Sequence, residues 1–208
     1  GMMKDNWIAS VLRYAERFLY RRAAAIGVVS PGFVDNLVAK GVPLEKIHVL
    51  TDWADEGTYY SVSPNQILAV DLGMHGKFNV VFGGQLGIAQ GLDTVIETAE
   101  LLRNDTDVQF VLAGDGVERE RLQAEVTRRG LQNICFLGRL TPEAVRDVYA
   151  LADVLLVHLR AGILSTVSIP SKTYAYLACG KPVLMALDGS AADFIQGIGA
   201  GITCPPES

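Results

Sequence analysis

The sequence predicts an α/β chain: a parallel, doubly wound sheet preceded by a partial N-terminal appendage. Three observations predict it. From residue 77 onward, short apolar runs alternate with helical stretches. Those runs lack the polar alternation of a strand with one wet face, which is what a sheet covered on both sides requires. Residues 52–64 carry turn formers and no clean period, and so separate the regular region from a shorter one before it. The expected division is residues 1–64, appendage plus linker, and residues 65–208, the main domain.

Each element has a local reason. Residues 7–22 place Ile8, Val11, Leu12, Ala15, Phe18 and Leu19 at helical spacing, with Arg13, Glu16, Arg17 and Arg21 elsewhere. This is an amphipathic helix with Asn6 as its N-cap. Residues 24–30 read as a strand, 33–40 as a helix closed by Gly41, and 47–51 as a second strand. In the main domain the strands are 78–82, 108–113, 134–137, 154–157, 183–186 and 201–204. The helices are 92–103, 118–129, 142–151, 172–179 and 191–196. With the Rossmann order 3-2-1-4-5-6, strands one and four are neighbours. A ligand crevice then opens beyond their carboxyl ends, between loops 83–91 and 158–171.

Composition narrows the function classes. The chain has 208 residues, half of them hydrophobic and a fifth charged, which excludes disorder. Eighteen Lys and Arg against 23 Asp and Glu give a net charge of -5, so no nucleic-acid partner is expected. Cys135, Cys179 and Cys204 form no CxxC pair and read as buried thiols in a reducing cytoplasm. No run approaches the ~20 apolar residues of a membrane span, and no signal peptide is visible. No His, Asp or Glu cluster has ligand spacing, so no metal is expected.

Two segments carry the chemistry. The first reads Gly83-Gly84-Gln85-Leu86-Gly87-Ile88-Ala89-Gln90-Gly91, four glycines in nine residues. Uncovered backbone lets N–H groups approach an anion, and the following helix adds its positive end. It is neither a GxGxxG fingerprint nor a P-loop. The second runs from Pro170-Ser171-Lys172 to Gly180-Lys181-Pro182. Ser171 is placed to cap a helix that Gly180 ends. Lys172 then brings a full positive charge to the crevice, or else is a solvated surface lysine. Two anion-friendly ends at one crevice suit a pyrophosphate. Other candidates have two readings each. Gly138-Arg139-Leu140 contacts a ligand or is a plain turn. Asp115, after Gly114, shapes the crevice or caps the next helix. His158 acts on a phosphate or sugar hydroxyl, or is a structural histidine. Arg160 is a further candidate cation.

The order of these segments resembles the C-terminal, donor-binding half of the group 1 (family 4) retaining glycosyltransferases of the GT-B fold. The matching pieces are Phe82-Gly83-Gly84 with Gly91-Leu92-Asp93, Leu112-Ala113-Gly114-Asp115-Gly116, Phe136-Leu137-Gly138-Arg139-Leu140, Ala152-Asp153-Val154, and Pro170-Ser171-Lys172 through Gly180-Lys181-Pro182-Val183. The match covers about residues 77–206, and the crevice loops are most similar to the bacterial branch that builds O-antigen, capsule and colanic-acid repeats. The resemblance implies a nucleotide-sugar donor, UDP-linked before GDP-linked, with the base near Gly138–Leu140, and no other cofactor. It also implies a lipid-linked or growing glycan as acceptor, at the inner face of the membrane.

The family pattern is not fully kept. Where members have Arg and Lys in the glycine loop, this chain has Gln85 and Gln90. Where they have two glutamates eight apart, it has Val167 and Ala175, so the ribose contact expected at Ala175 is unexplained. The positive charge must come from Lys172, Arg160 or helix ends. By the same resemblance, residues 7–55 correspond to the end of an N-terminal acceptor domain whose remainder precedes Met2. The 208-residue chain alone is then expected to be inactive, one half of a split transferase or a nucleotide-binding module. The apolar face of residues 7–55 is expected to pack against the main domain in a non-family position or to bury itself in a homodimer, with membrane docking through residues 7–19 as the alternative.

Overall fold

The computed structural model describes residues 7–208, and Asn6 with its expected cap lies outside them. The chain divides into two compact units, residues 1–51 and 52–208.

The first unit holds helix α1 (Trp7–Arg22), strand β1 (Ile26–Val28), helix α2 (Pro31–Ala39) and strand β2 (Ile47–Val49). β1 and β2 pair in parallel, with Ile26 opposite Ile47. Both strands are shorter than the sequence predicts, and the small core is Val28, Leu37, Val42 and Ile47. Lys46 closes the end of α1 by donating to the carbonyls of Arg21 and Ala23, where a cation meets the negative end of the helix. Within this unit Trp7, Val11, Leu12, Tyr14 and Leu19 of α1 stay exposed.

The second unit is built on six parallel strands. In chain order its elements are α3 (Gln66–Asp71), β3 (Phe78–Gly83), α4 (Asp93–Leu101), β4 (Val108–Ala113), α5 (Arg119–Arg129), β5 (Ile134–Gly138), α6 (Pro142–Ala150), β6 (Val154–His158), α7 (Ile163–Val167), α8 (Lys172–Ala178), β7 (Val183–Ala186), α9 (Ser190–Ile198) and β8 (Gly201–Cys204). The spatial order is β5-β4-β3-β6-β7-β8. This is the 3-2-1-4-5-6 order, with its reversal between β3 and β6.

The four inner strands, β4, β3, β6 and β7, are buried on both sides, as their unbroken apolar runs require, while the edge strands β5 and β8 are only partly covered. Val81 of β3 points into a core formed with Val111, Val157, Tyr176, Met185 and Ile195. Its neighbours Val80 and Phe82 point the other way, against Val95, Ile96 and Ala99 of α4 and Leu122 of α5. The period of two thus divides one strand between two cores.

Two helices escape the sequence reading. α3 is six residues long, started by Asn65, whose Oδ1 accepts from the amides of Ile67 and Leu68. α7 lies inside the predicted loop 158–171. It is five residues long and held by Ser165, whose hydroxyl donates to the Gly162 carbonyl and accepts from the Gly162 amide. Elements this short show no full apolar period in a sequence.

Candidate functional site

Three loops after β3, β4 and β5 converge above the sheet and enclose an open groove of about 830 Å³. That volume lies within the range of small-molecule sites. Gly84 and Gln85 come from the first loop, Gly114 and Asp115 from the second, and Arg139 and Leu140 from the third. Val145 and Tyr149 of α6, with Tyr59, form the apolar wall. Tyr59 stacks on Tyr149 at 6.4 Å, and Tyr149 meets Tyr176 edge-on at 5.0 Å.

The sequence places the crevice at the β3–β6 reversal; the groove instead opens on the β3-β4-β5 side of the glycine loop. Gly83, Gln90, Gly138, His158, Arg160, Ser171, Lys172 and Ala175 do not line it. The cause is the path of the glycine loop. After β3 its amides turn toward the neighbouring loop: Gly84 N–H donates to the Ala113 carbonyl and Leu86 N–H to the Asp115 carbonyl. The crossing is close. A Cβ on Gly114 would lie 1.7 Å from the Gly84 carbonyl oxygen, so Gly114 is needed for loop contact. Gly138 closes β5 with φ +72 beneath the Arg119 guanidinium.

The loop is also less open to an anion than four glycines imply. The Gly83 amide donates to the Tyr176 hydroxyl at 2.8 Å, and the Gln90 and Gly91 amides bond back to Gly87 and Ile88. Tyr176 is fully buried, and burial holds its hydroxyl well above the ordinary tyrosine range. A neutral donor–acceptor hydroxyl fits between Gly83 and the Leu156 carbonyl at 3.3 Å.

Ser171 does not cap α8. Its own backbone is helical, and its side chain makes no cap bond. The turn is closed by the Thr173 amide on the Pro170 carbonyl. A cap hydroxyl reaches the free amides only from an extended backbone, which Ser171 lacks. What α8 brings to the loop is Lys172. Its ammonium donates to Gln90 Oε1 at 2.9 Å and sits 3.6 Å above the Phe82 ring. A Cβ on Gly84 would meet Nζ at 3.3 Å, so the charge neighbours Gly84, which lines the groove, while Lys172 itself does not. The residue as a whole keeps partial exposure, but its ammonium end is enclosed. Burial brings its pKa down to about 7. Lys172 is therefore not a solvated surface lysine.

The remaining candidates have assigned partners. Asp115 Oδ1 accepts from the Gly116 amide at 2.9 Å and faces Arg119 at 3.6 Å. Arg160 reaches Asp93 at 3.4 Å, and Arg121 grips the same carboxylate at 2.8 Å. Arg121 holds the Asp93 carboxyl below its ordinary range. His158 is buried, with Nδ1 2.5 Å from the Gln90 carbonyl and Nε2 3.3 Å from the Glu207 amide. Tyr59, Val145 and Tyr149 carried no signal: the first lies in a segment read as linker, the others on an ordinary helix face. Only the crossing of three loops makes them a wall.

Comparison with known proteins adds a family. Residues 77–208 match the model described as glycosyl transferases group 1. The alpha-galactosylglucosyldiacylglycerol synthase of Streptococcus pneumoniae is 32% identical over 158 residues, 71% of this chain and 40% of its own. The putative colanic acid biosynthesis glycosyl transferase WcaI of Escherichia coli is 27% identical over 217 residues, covering 100% of this chain and 52% of that one. The chain spans about half the length of the curated relatives it matches. A crystal structure of Anabaena Alr3699/HepE in complex with UDP shares the fold, with a TM-score of 0.81 at 22% identity over 99% of this chain and 56% of that one. The family match spans the six-stranded sheet and the three loops of the groove, and the chain belongs to the group 1 glycosyl transferases.

Proposed function

We propose that this chain is the donor-binding side of a glycosyltransferase of surface-polysaccharide or glycolipid synthesis, and that its groove takes the nucleoside diphosphate of a nucleotide sugar, UDP before GDP. The observation that carries the reading is the Lys172 ammonium enclosed next to Gly84, a residue that lines the groove opposite an aromatic wall. A diphosphate pairs with the first and a nucleoside with the second. The ammonium is held by Gln90, the position where the family resemblance implies a loop lysine, and the lysine that reaches it comes from α8 instead. Support for UDP comes from the Anabaena structure, and support for the pathway from the colanic acid relative. The acceptor is then a lipid-linked or growing glycan. No helix among the described residues is long and apolar enough to cross a membrane.

The transfer itself needs donor and acceptor held as an oriented pair, an advantage of ~7–11 kcal/mol. This chain's contribution is the donor half of that pair: a fixed cation for the diphosphate and a wall that orients the nucleoside. Titration calorimetry with UDP, GDP and ADP at millimolar concentration tests it. Saturable heat strongest with UDP is expected. Lys172→Ala should weaken binding by ~1.5–3 kcal/mol, the value of a hydrogen bond to a charged group. No heat with any of the three would refute the proposal.

A further inference from the structure

The Lys172 ammonium stays in place only if Gln90 does, because Gln90 Oε1 is its hydrogen-bond acceptor. Gln90 lies in the last turn of the glycine loop, a short 3-10 stretch (Ile88–Gln90) with no packing core of its own. Its backbone is held from both sides. Its amide donates to the Gly87 carbonyl, and its carbonyl lies 2.5 Å from His158 Nδ1. The imidazole comes from the rigid part of the molecule. His158 ends β6 in register with Ala186 of β7, is 2% exposed, and accepts the Glu207 amide at Nε2. A carbonyl at one ring nitrogen and an N–H at the other assign the Nδ1–H tautomer. The ring also wedges beneath the end of the loop. Gly91 has φ +61, and a Cβ there would lie 3.0 Å from His158 Cε1 and 2.9 Å from Arg160 Cγ.

We infer that His158 is a positioning residue of the donor site: by holding the Gln90 carbonyl it sets the amide that receives Lys172, and so fixes the ammonium against Gly84. The chain of contacts runs from sheet to histidine, to loop glutamine, to helix lysine, to groove. A binding group is held to sub-ångström tolerance when a rigid element supports the residues that orient it, and a loop alone does not do this. Burial already penalises this ammonium, so an unsupported Lys172 would swing toward water. Of the neighbouring charged groups, Asp93 is paired with Arg121 and Arg160, and the Arg160 amide donates to the Ala89 carbonyl, which holds the preceding residue but leaves the Gln90 carbonyl to His158.

The inference rests on the groove being a phosphate site, and the test separates the two. UDP is titrated by calorimetry into the full chain and into His158→Leu, His158→Asn and His158→Gln, each also in a Lys172→Met background. Asn presents an N–H near the Nδ1 position and can still serve the Gln90 carbonyl. Gln presents its amide near Nε2 and cannot. His158→Leu and His158→Gln should weaken UDP roughly tenfold, as coupled members of one network do. His158→Asn should stay within about twofold of the parent, and in Lys172→Met none of the three should have a further effect. If Leu does not fold, as judged by circular dichroism, Gln takes its place. Equal losses with and without Lys172 would overturn the inference, as would an Asn variant no better than Gln. A parent chain that binds no UDP refutes the phosphate reading instead. The inference is then read without ligand, from the Lys172 side-chain titration followed by NMR. His158→Gln should move its midpoint and His158→Asn should not; a midpoint moved by neither overturns it.

Discussion

Lys172→Met should make the protein more stable near neutral pH while weakening the diphosphate binding proposed above. The Lys172 ammonium is enclosed, with an amide oxygen and an aromatic ring as its partners. Its pKa falls from 10.5 to about 7 because burial penalises the charged form. Each tenfold change in proton affinity is worth ~1.4 kcal/mol, so the ceiling on the penalty is ~5 kcal/mol. The Gln90 amide oxygen and the Phe82 ring offset part of that penalty, leaving ~1–3 kcal/mol. The sign follows from proton counting. Between pH 7 and 10.5 the unfolded chain holds a proton on Lys172 that the folded chain has lost. Stability therefore rises with pH across that window, and the full penalty applies below it. Methionine fills the same space, lies well on an aromatic face and carries no charge. Urea unfolding followed by circular dichroism, from pH 6 to 10, gives the comparison. The variant should be more stable by ~1–3 kcal/mol at pH 6–7, with the difference closing toward pH 10. Other buried groups, such as the Cys179 thiol that burial pushes up, cancel between the two proteins. Parallel pH profiles, or a variant less stable at pH 7, would refute the argument that Lys172 is held in its site at the expense of stability.

Two further substitutions probe how the loops are held. Tyr176→Phe leaves the Gly83 amide buried without its 2.8 Å acceptor, and should cost ~1–3 kcal/mol in urea unfolding; a cost below ~0.5 kcal/mol would mean that the hydroxyl does not support the loop. Gly114→Ala drives a methyl into the Gly84 carbonyl, where the gap is 1.7 Å. Because that neighbour is backbone, the loops must part: a loss of at least ~1–3 kcal/mol is expected, with weaker UDP binding, and an unperturbed variant would show the crossing to be looser than described.

The sequence by itself determined the sheet. Apolar runs without alternation, such as those of β3 and β4, are stable only between two covered faces, and helices between them force parallel strands in a right-handed winding. Periodicity is a local property, so it can be read without coordinates. The same holds for α1, whose stripe from Ile8 to Leu19 is visible as spacing alone. The site was legible only in its parts. Gly84, Gln85, Gly114, Asp115, Arg139 and Leu140 were picked out as loop residues and do line one groove. Gly83, Gln90, Gly138, His158, Arg160, Ser171, Lys172 and Ala175 were picked out with them and are not part of its lining. The difference is made by which loop crosses which. The glycine loop bonds to Ala113 and Asp115 and so opens toward β5, a choice set by main-chain hydrogen bonds between segments 30 residues apart (Gly84 and Gly114). Whether Lys172 was a surface lysine or an enclosed cation was equally beyond the sequence. Its setting depends on Phe82 below, Gln90 beside and Gly84 above, three residues about 80–90 positions earlier that come together only when β3, its loop and α8 pack.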